Sequence, residues 1–242
     1  ALDPKTGKQL WKHYRPAKAR SESLEAFSTP MPFSHNGRDE IVIVGGDCLT
    51  GHDPKTGKEL WRWGTWNPSR IGHWRLVPSP VAGKGVLLAC GPKGAPVFAI
   101  KAGAKGDVSE DKSSIAWQSE GRRDQVTSDV STPLFYQGNF YVLYGEGRDK
   151  ILSCVDPKSG KAKWATDLES RSLFRGSPTG ADGKLYVQNH AGTVHVIDAK
   201  SGKVLHKTNM GEPGDDQTRA TIAVAHGNLF IRTNSRLYCI GS

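Results

Sequence analysis

Hydrophobic positions along this 242-residue chain fall in short β-branched and aromatic runs cut by glycine and proline, and scarcely anywhere at the spacing of a helix face. The stretch from Ser177, "SPTGADGKLYVQNHAGTVHVIDAKSGKVLHKTN", shows the pattern, with Gly183 and Gly192 separating runs such as "KLYVQN", "TVHVID" and "KVLHKT". Runs of this length and content read as strands bounded by turns, four to a unit. With 28 glycines and 14 prolines the chain has turns enough for many such strands, so it reads as all-β.

The unit recurs. Asp-Pro-Lys-Thr/Ser-Gly-Lys stands at Asp3–Lys8, Asp53–Lys58 and Asp156–Lys161, and a variant with alanine at the second position at Asp198–Lys203. Upstream of the later copies lies Ser-x-Pro or a relative: Ser28-Thr29-Pro30, Pro78-Ser79-Pro80, Ser131-Thr132-Pro133 and Gly176-Ser177-Pro178. Copies lie 50 residues apart from Asp3 to Asp53 and 42 from Asp156 to Asp198. The 103 residues between Asp53 and Asp156 therefore hold two units, the first with a degenerate turn. "VFAIKAGAKGDVSEDKSSIAWQS" from Val97 fits, with a longer, more charged turn before Trp117. In the regular turns Asp accepts backbone N–H bonds, Pro presets φ and Gly takes the left-handed conformation that starts the next strand.

Four-stranded repeats of about 40 to 50 residues are the sequence form of propeller blades, which hide sheet edges by radial repetition. The expected architecture is a single β-propeller domain over 1–242, with antiparallel four-stranded blades at 26–63, 76–118, 130–168 and 175–208. A fifth is assembled from 219–241 and closed by a strand at 8–14 of the segment 1–14. The alternative is five blades' worth of a larger ring. The chain starts inside a repeat with no signal-peptide pattern, so a removed leader or a longer protein is expected.

Ala1-x-Asp3-x-x-Thr6-Gly7-x-x-x-Trp11 resembles the tryptophan-docking repeat of the PQQ-like propeller family, also called the quinoprotein alcohol dehydrogenase-like fold. The resemblance covers nearly the whole chain and implies that Trp11, Trp61, Trp117 and Trp164 dock on neighbouring blades, with His206 at the fifth such position. Such an indole buries a large ring and one N–H that needs an acceptor. The family typically has more than five blades. Its members divide into PQQ dehydrogenases and non-enzymatic scaffolds, the latter including the lipoprotein subunit of outer-membrane protein assembly and sensor portions of larger bacterial proteins. Dehydrogenases of the family hold the quinone against a Cys-Cys disulfide, with a cation bound by carboxylate and amide ligands and an Asp base. Here Cys48, Cys90, Cys154 and Cys239 include no adjacent pair and no C-x-x-C spacing.

Charge narrows the partners. A net +9 favours anionic ones, and no apolar run approaches the roughly 20 residues that span a bilayer. The "DPKTGK" turn lacks the spacing and helix of a phosphate loop and reads as architecture. Its lysines (Lys5, Lys8, Lys55, Lys58, Lys158, Lys161, Lys200 and Lys203) are expected on one basic face as solvated turns. The connections between blades belong to the other face, and each holds arginine: Arg20; Arg70 and Arg75; Arg122 and Arg123; Arg171 and Arg175; Arg219. Converging at the channel mouth, such guanidinium groups can bind carboxylate or phosphate, while Asp124, Asp129, Asp167, Glu169, Asp215 and Asp216 nearby would neutralise part of that charge.

The connection "WRWGTWNPSRIGHWRLVPSP" sets Trp63, Trp66, His73 and Trp74 beside three arginines. It reads either as a sugar or peptide platform or as a loop plugging the channel. Either places Trp66 and Trp74 near the centre of one face. Cys154 and Cys239 take equivalent places in their repeats and are expected to be small buried strand residues. No metal site, catalytic set or cofactor is predicted, PQQ entering by resemblance only; His190 and His195 lack zinc spacing.

The function expected is therefore a non-catalytic binding or scaffolding propeller, taking a protein partner or an anionic small molecule or glycan, with no specific nucleic acid. By resemblance it is bacterial and periplasmic or secreted. The alternatives are a PQQ-dependent alcohol or sugar dehydrogenase, or a fragment of one, and a sensor domain of a larger protein.

Overall fold

Hairpin turns of two to six residues, broken only by an insertion in the second repeat, favour folding each repeat as one antiparallel sheet with strands in chain order. The computed structural model describes residues 1–64 and 66–241. The first sheet holds β1 (Met31–His35), β2 (Arg38–Gly45), β3 (Cys48–His52) and β4 (Glu59–Trp63). The second holds β5 (Val81–Gly83), β6 (Val86–Cys90), β7 (Val97–Lys101) and, after an insertion containing β8 (Gly106–Asp107), β9 (Ile115–Gln118). The third and fourth are regular: β10 (Leu134–Tyr136), β11 (Asn139–Tyr144), β12 (Ile151–Val155) and β13 (Ala162–Asp167), then β14 (Thr179–Ala181), β15 (Lys184–Gln188), β16 (Thr193–Asp198) and β17 (Val204–Asn209). Three strands end the series, β18 (Ala223–Ala225), β19 (Asn228–Arg232) and β20 (Leu237–Ile240).

The first strands of successive sheets lie against one another, β5 on β10, β10 on β14 and β14 on β18, so these are the inner strands of an all-β propeller. Between each pair of sheets sits one apolar layer. Val42, Leu49 and Trp63 meet Leu87 and Ile100 between the first and second; Val97 and Trp117 meet Phe140 and Val142 between the second and third. Leu143 and Leu152 meet Leu185 and Ile197 in the next layer. Residues 8–14 form no ladder with β18–β20 among the described residues. They belong instead to a hairpin in which Leu2 bridges Gln9 and the Ala1 amino group donates to the Trp11 carbonyl, and Trp11 fastens that hairpin to the first sheet.

The turns that end the third strands explain the repeated motif atom by atom. In the copies at Asp53, Asp156 and Asp198 the register of the third and fourth strands shifts just before the Asp. Asp53 Oδ1 then accepts from the Lys55 and Thr56 amides, both at 2.8 Å, and from the Thr56 hydroxyl at 3.0 Å. Gly57, at φ +73°, donates its N–H to the Asp53 carbonyl. Asp156 repeats the set with Lys158 and Ser159. The N–H and hydroxyl donors favour the ionised form, so these carboxyls titrate below the usual carboxylate range.

Glycine in this turn serves a second purpose, because a tryptophan from the preceding repeat lies on it. A Cβ at Gly57 would overlap the Trp11 ring, and one at Gly160 the Trp117 ring. The indole N–H groups then reach the carbonyl of the turn proline, Trp11 to Pro54 at 3.0 Å and Trp117 to Pro157 at 2.8 Å. Trp164 stacks likewise on Gly202, but its Nε1 finds no acceptor; the equivalent carbonyl, of Ala199, accepts from the Tyr141 hydroxyl at 3.0 Å.

Trp61 departs furthest from the repeat. The turn it would have met is replaced by the insertion in the second repeat, whose β8 instead pairs in parallel with β4, Trp61 opposite Gly106 and Arg62 opposite Asp107. Trp61 stays in its own sheet and donates to the carboxylate of Glu40, which is 2 % exposed. Arg38 holds the other Glu40 oxygen and donates to the Ala104 carbonyl of the insertion at 2.8 Å. Glu40→Ala should therefore cost about 2 kcal/mol, the usual penalty for stranding buried donors, and Glu40→Gln much less, read as shifts of the urea midpoint at unchanged slope.

Candidate functional site

Connections between sheets and turns between second and third strands share one face, and all four connections, with the segment before β1 and the β6–β7 turn, converge there on a cleft of about 500 Å³. Its charged lining is Glu22, Arg75, Lys93, Asp129, Arg175 and Arg219, four cations against two acids, with His73 beside them. Phe27, Val77, Pro92 and Val130 supply the apolar part. Arg75 is neutralised by Glu22 at 3.1 Å and Glu25 at 3.0 Å, and Arg175 by Glu146 at 2.8 Å. Arg219 reaches only the Gln217 amide oxygen, at 3.0 Å, and the Lys93 ammonium makes no ion pair among the described residues. The Lys93 backbone N–H donates to Asp129.

Beneath the two arginines lies His190, 7 % exposed. Its N–H donates to the Leu173 carbonyl at 2.8 Å and its carbonyl accepts from Thr218 at 3.0 Å, which ties together the connections that carry Arg175 and Arg219. Burial, and then the positive charges of Arg175 and Arg219, hold its pKa below the ordinary histidine value, and Nε2 has no partner. The site is thus an electropositive mouth with an apolar wall and fixed loops, suited to binding a carboxylate-bearing segment.

The structure gathers His73, Arg75, Arg175 and Arg219 of the residues singled out in the sequence and leaves the others elsewhere. Arg122 lies over the Tyr144 ring, 5.1 Å from its centroid, beside a second cleft of about 560 Å³ that holds Arg148 and Asp149. Arg70 Nε donates to the Lys18 carbonyl at 2.7 Å and lines a smaller pocket of about 340 Å³. Arg123 and Arg171 are exposed outside all of these. Trp74 is half-buried, its N–H on Ser23 Oγ.

Two expectations are corrected. Trp63 and Trp66 offer no platform: they are 0 % and 6 % exposed, packed on each other and on Phe98 in the first core layer. Trp63 stands two residues from Trp61 in β4, and period two sends both to the same face of the sheet, which is the signal that would have placed it. Cys239 is exposed on β20, whereas Cys154 is buried as expected. Sequence reasoning missed Lys93 and His190, one in the turn between β6 and β7 and one in the turn after β15, because only the folded chain brings them beside Arg219.

Comparison with known proteins follows the geometry. The family model described as outer membrane protein assembly factor BamB matches residues 1–116 and 104–240. Among solved structures, BamB from Moraxella catarrhalis superposes with a TM-score of 0.66 at 15 % identity, over 96 % of this chain and 62 % of that one. Quinohemoprotein alcohol dehydrogenase ADHIIG from Pseudomonas putida HK5 gives 0.68 at 14 % identity, over 96 % of this chain and 42 % of that one. The quinohemoprotein alcohol dehydrogenase of Comamonas testosteroni gives 0.65 at 13 %, over 92 % and 42 %. At such identities these likenesses show the fold, and the chain spans less than two thirds of each of these structures. No curated protein matches the sequence.

Proposed function

The chain belongs to the PQQ-like propeller family of the outer membrane protein assembly factor BamB, and from that premise we propose that it is a non-catalytic docking platform for a protein partner in an extracytoplasmic setting. A protein-binding scaffold is the role the family supports. The observation that carries the finer reading is the cleft between the connections, where Lys93 and Arg219 stand without carboxylate partners among the described residues beside an apolar wall. No helix of the described residues is long and apolar enough to cross a membrane.

A quinone cofactor is what the dehydrogenase branch implies, and the cysteines and acids present favour the docking reading over it. All four cysteines are free, and no three His, Cys, Asp or Glu side chains among the described residues are grouped to hold the cation such a quinone requires. The two cations of the cleft without carboxylate partners, Lys93 and Arg219, are donors suited to an anion.

Fluorescence anisotropy of a labelled glutamate-rich peptide tests the reading. Arg219→Gln should weaken its binding about tenfold, one charge-assisted hydrogen bond to an anion being worth roughly 1.5–3 kcal/mol, and Lys93→Gln should add to the loss. Equal affinity for parent and double variant would remove the cleft from the interaction. Quenching by PQQ with calcium, accompanied by dye-linked alcohol oxidation, would replace the docking reading with the enzymatic one.

A further inference from the structure

The opposite face carries the turns between first and second and between third and fourth strands, and its chemistry is independent of the cleft. Both lysines of every regular turn, from Lys5 and Lys8 to Lys200 and Lys203, are exposed. The aspartate in each turn is not their partner. Its Oδ1 is occupied by the turn's own N–H and hydroxyl groups, at 2.6–3.0 Å in the copies at Asp3 and Asp198. Among the described residues none of these eight ammonium groups makes an ion pair; the nearby pairs are Lys163 with Asp156 and Lys184 with Asp182.

The frame that carries them is stiff. Trp11, Trp117 and Trp164 stack on Gly57, Gly160 and Gly202, and two of the three donate to the turn prolines, so the lysine pairs Lys55/Lys58, Lys158/Lys161 and Lys200/Lys203 ride on braced turns rather than on loose loops. Lys84, in the turn between β5 and β6, is exposed on the same side. The pairs stand at turn tips, one pair to each regular repeat. A linear polyanion needs cations along one track. A plane of negative charge needs only a flat face whose cations all reach it together.

We propose that this face docks on the headgroup plane of an anionic phospholipid bilayer. Each lysine near such a surface strengthens binding by roughly fivefold, an effect that falls off within a Debye length. Two lysines on one turn would bind weakly, while six on three braced turns, joined by Lys5 and Lys8 on the fourth, bind additively and reversibly. Docking by this face leaves the cleft pointing away from the bilayer, open to a partner.

The test is co-sedimentation of the whole chain with vesicles of equal parts phosphatidylglycerol and phosphatidylcholine, against phosphatidylcholine alone. The expected result is binding to the anionic vesicles only, lost at about 1 M salt, where the screening length is about 3 Å. Lys5→Gln/Lys55→Gln/Lys158→Gln/Lys200→Gln should lower it at least about tenfold with an unchanged thermal melt. A charge-matched variant of the other face, Arg123→Gln/Arg148→Gln/Arg171→Gln/Arg232→Gln, should bind as the parent does. Equal losses in the two variants would reduce the effect to net charge and overturn the proposal. So would binding to heparin without binding to vesicles, displacement by free inorganic phosphate at matched ionic strength, or no binding at all. Anisotropy with the acidic peptide reads the cleft separately in the same variants.

Discussion

Trp117→Ala should destabilise the chain by about 3–5 kcal/mol, the cost of emptying a large buried ring position, and lower the melting temperature by on the order of 10 °C for a chain of this size. The ring is 7 % exposed, lies in the layer between the second and third sheets, covers Gly160 and bonds the Pro157 carbonyl. Removing it opens a cavity, unpairs a carbonyl and frees a turn in a single change. The phenylalanine variants separate these effects. Trp117→Phe forfeits the hydrogen bond to Pro157, whereas Trp164→Phe forfeits none, since Trp164 Nε1 has no acceptor and Ala199 is bonded by Tyr141. The first should therefore cost about 1 kcal/mol more than the second. Equal costs in urea titrations would mean that the indole N–H contributes nothing and that stacking on glycine alone fixes the turn.

Those same tryptophans show how far the sequence could be read. The Asp, Gly and Trp of the repeat each make a bond or a contact that local chemistry requires, so turns, strand number and sheet order follow from one unit multiplied. The insertion in the second repeat does not follow. Its "GAKGDVSEDKSS" carries no strand signal, and β8 exists only because β4 presents an open edge beside it. Once that turn had changed, Trp61 needed another acceptor, and Glu40, 21 residues away, became one. Such a substitution of partners leaves no mark on either residue taken alone.

The cleft was half legible for a similar reason. Arginine recurs in every connection, and the topology of a propeller brings connections together at the channel mouth. Which guanidinium groups remain unneutralised depends on acids from other turns. Glu22 and Glu25 pair with Arg75, and Glu146 with Arg175. The aromatic residues misled because tryptophan beside arginine in a Gly- and Pro-containing stretch looks exposed, yet the β4 alternation carries Trp63 into the core and Trp66 follows it to reach Phe98.

Acid should destabilise this fold before its carboxylates titrate, and His195 is the reason. The side chain is 0 % exposed on β16 and edge-on to Phe174 at 5.3 Å, and among the described residues neither ring nitrogen has a hydrogen-bond partner of good geometry, the Leu168 and Thr193 backbone lying near enough only to temper the shift. Burial, and then the charge of Lys207, push its pKa down to about 4. The unfolded chain protonates this imidazole near pH 6.5 and the folded chain does not until about 4. The stability it confers is thus complete above about 6.5 and is lost as pH falls from there, at about 1.4 kcal/mol per pH unit and roughly 3 kcal/mol in all. The turn aspartates act in a separate window: held below their ordinary value, they withdraw stability only as pH falls further. His195→Leu should flatten the slope between pH 6.5 and 4 while leaving the steeper fall below it, and at pH 7 should match or exceed the parent, because a buried polar ring without partners is replaced by an apolar side chain. His52 and His190, both shifted down by burial, keep a smaller residual slope in the variant. Urea midpoints at a series of pH values decide the matter: parallel curves for parent and variant would mean that His195 is solvated or bonded in solution, and that the acid sensitivity of the ring lies elsewhere.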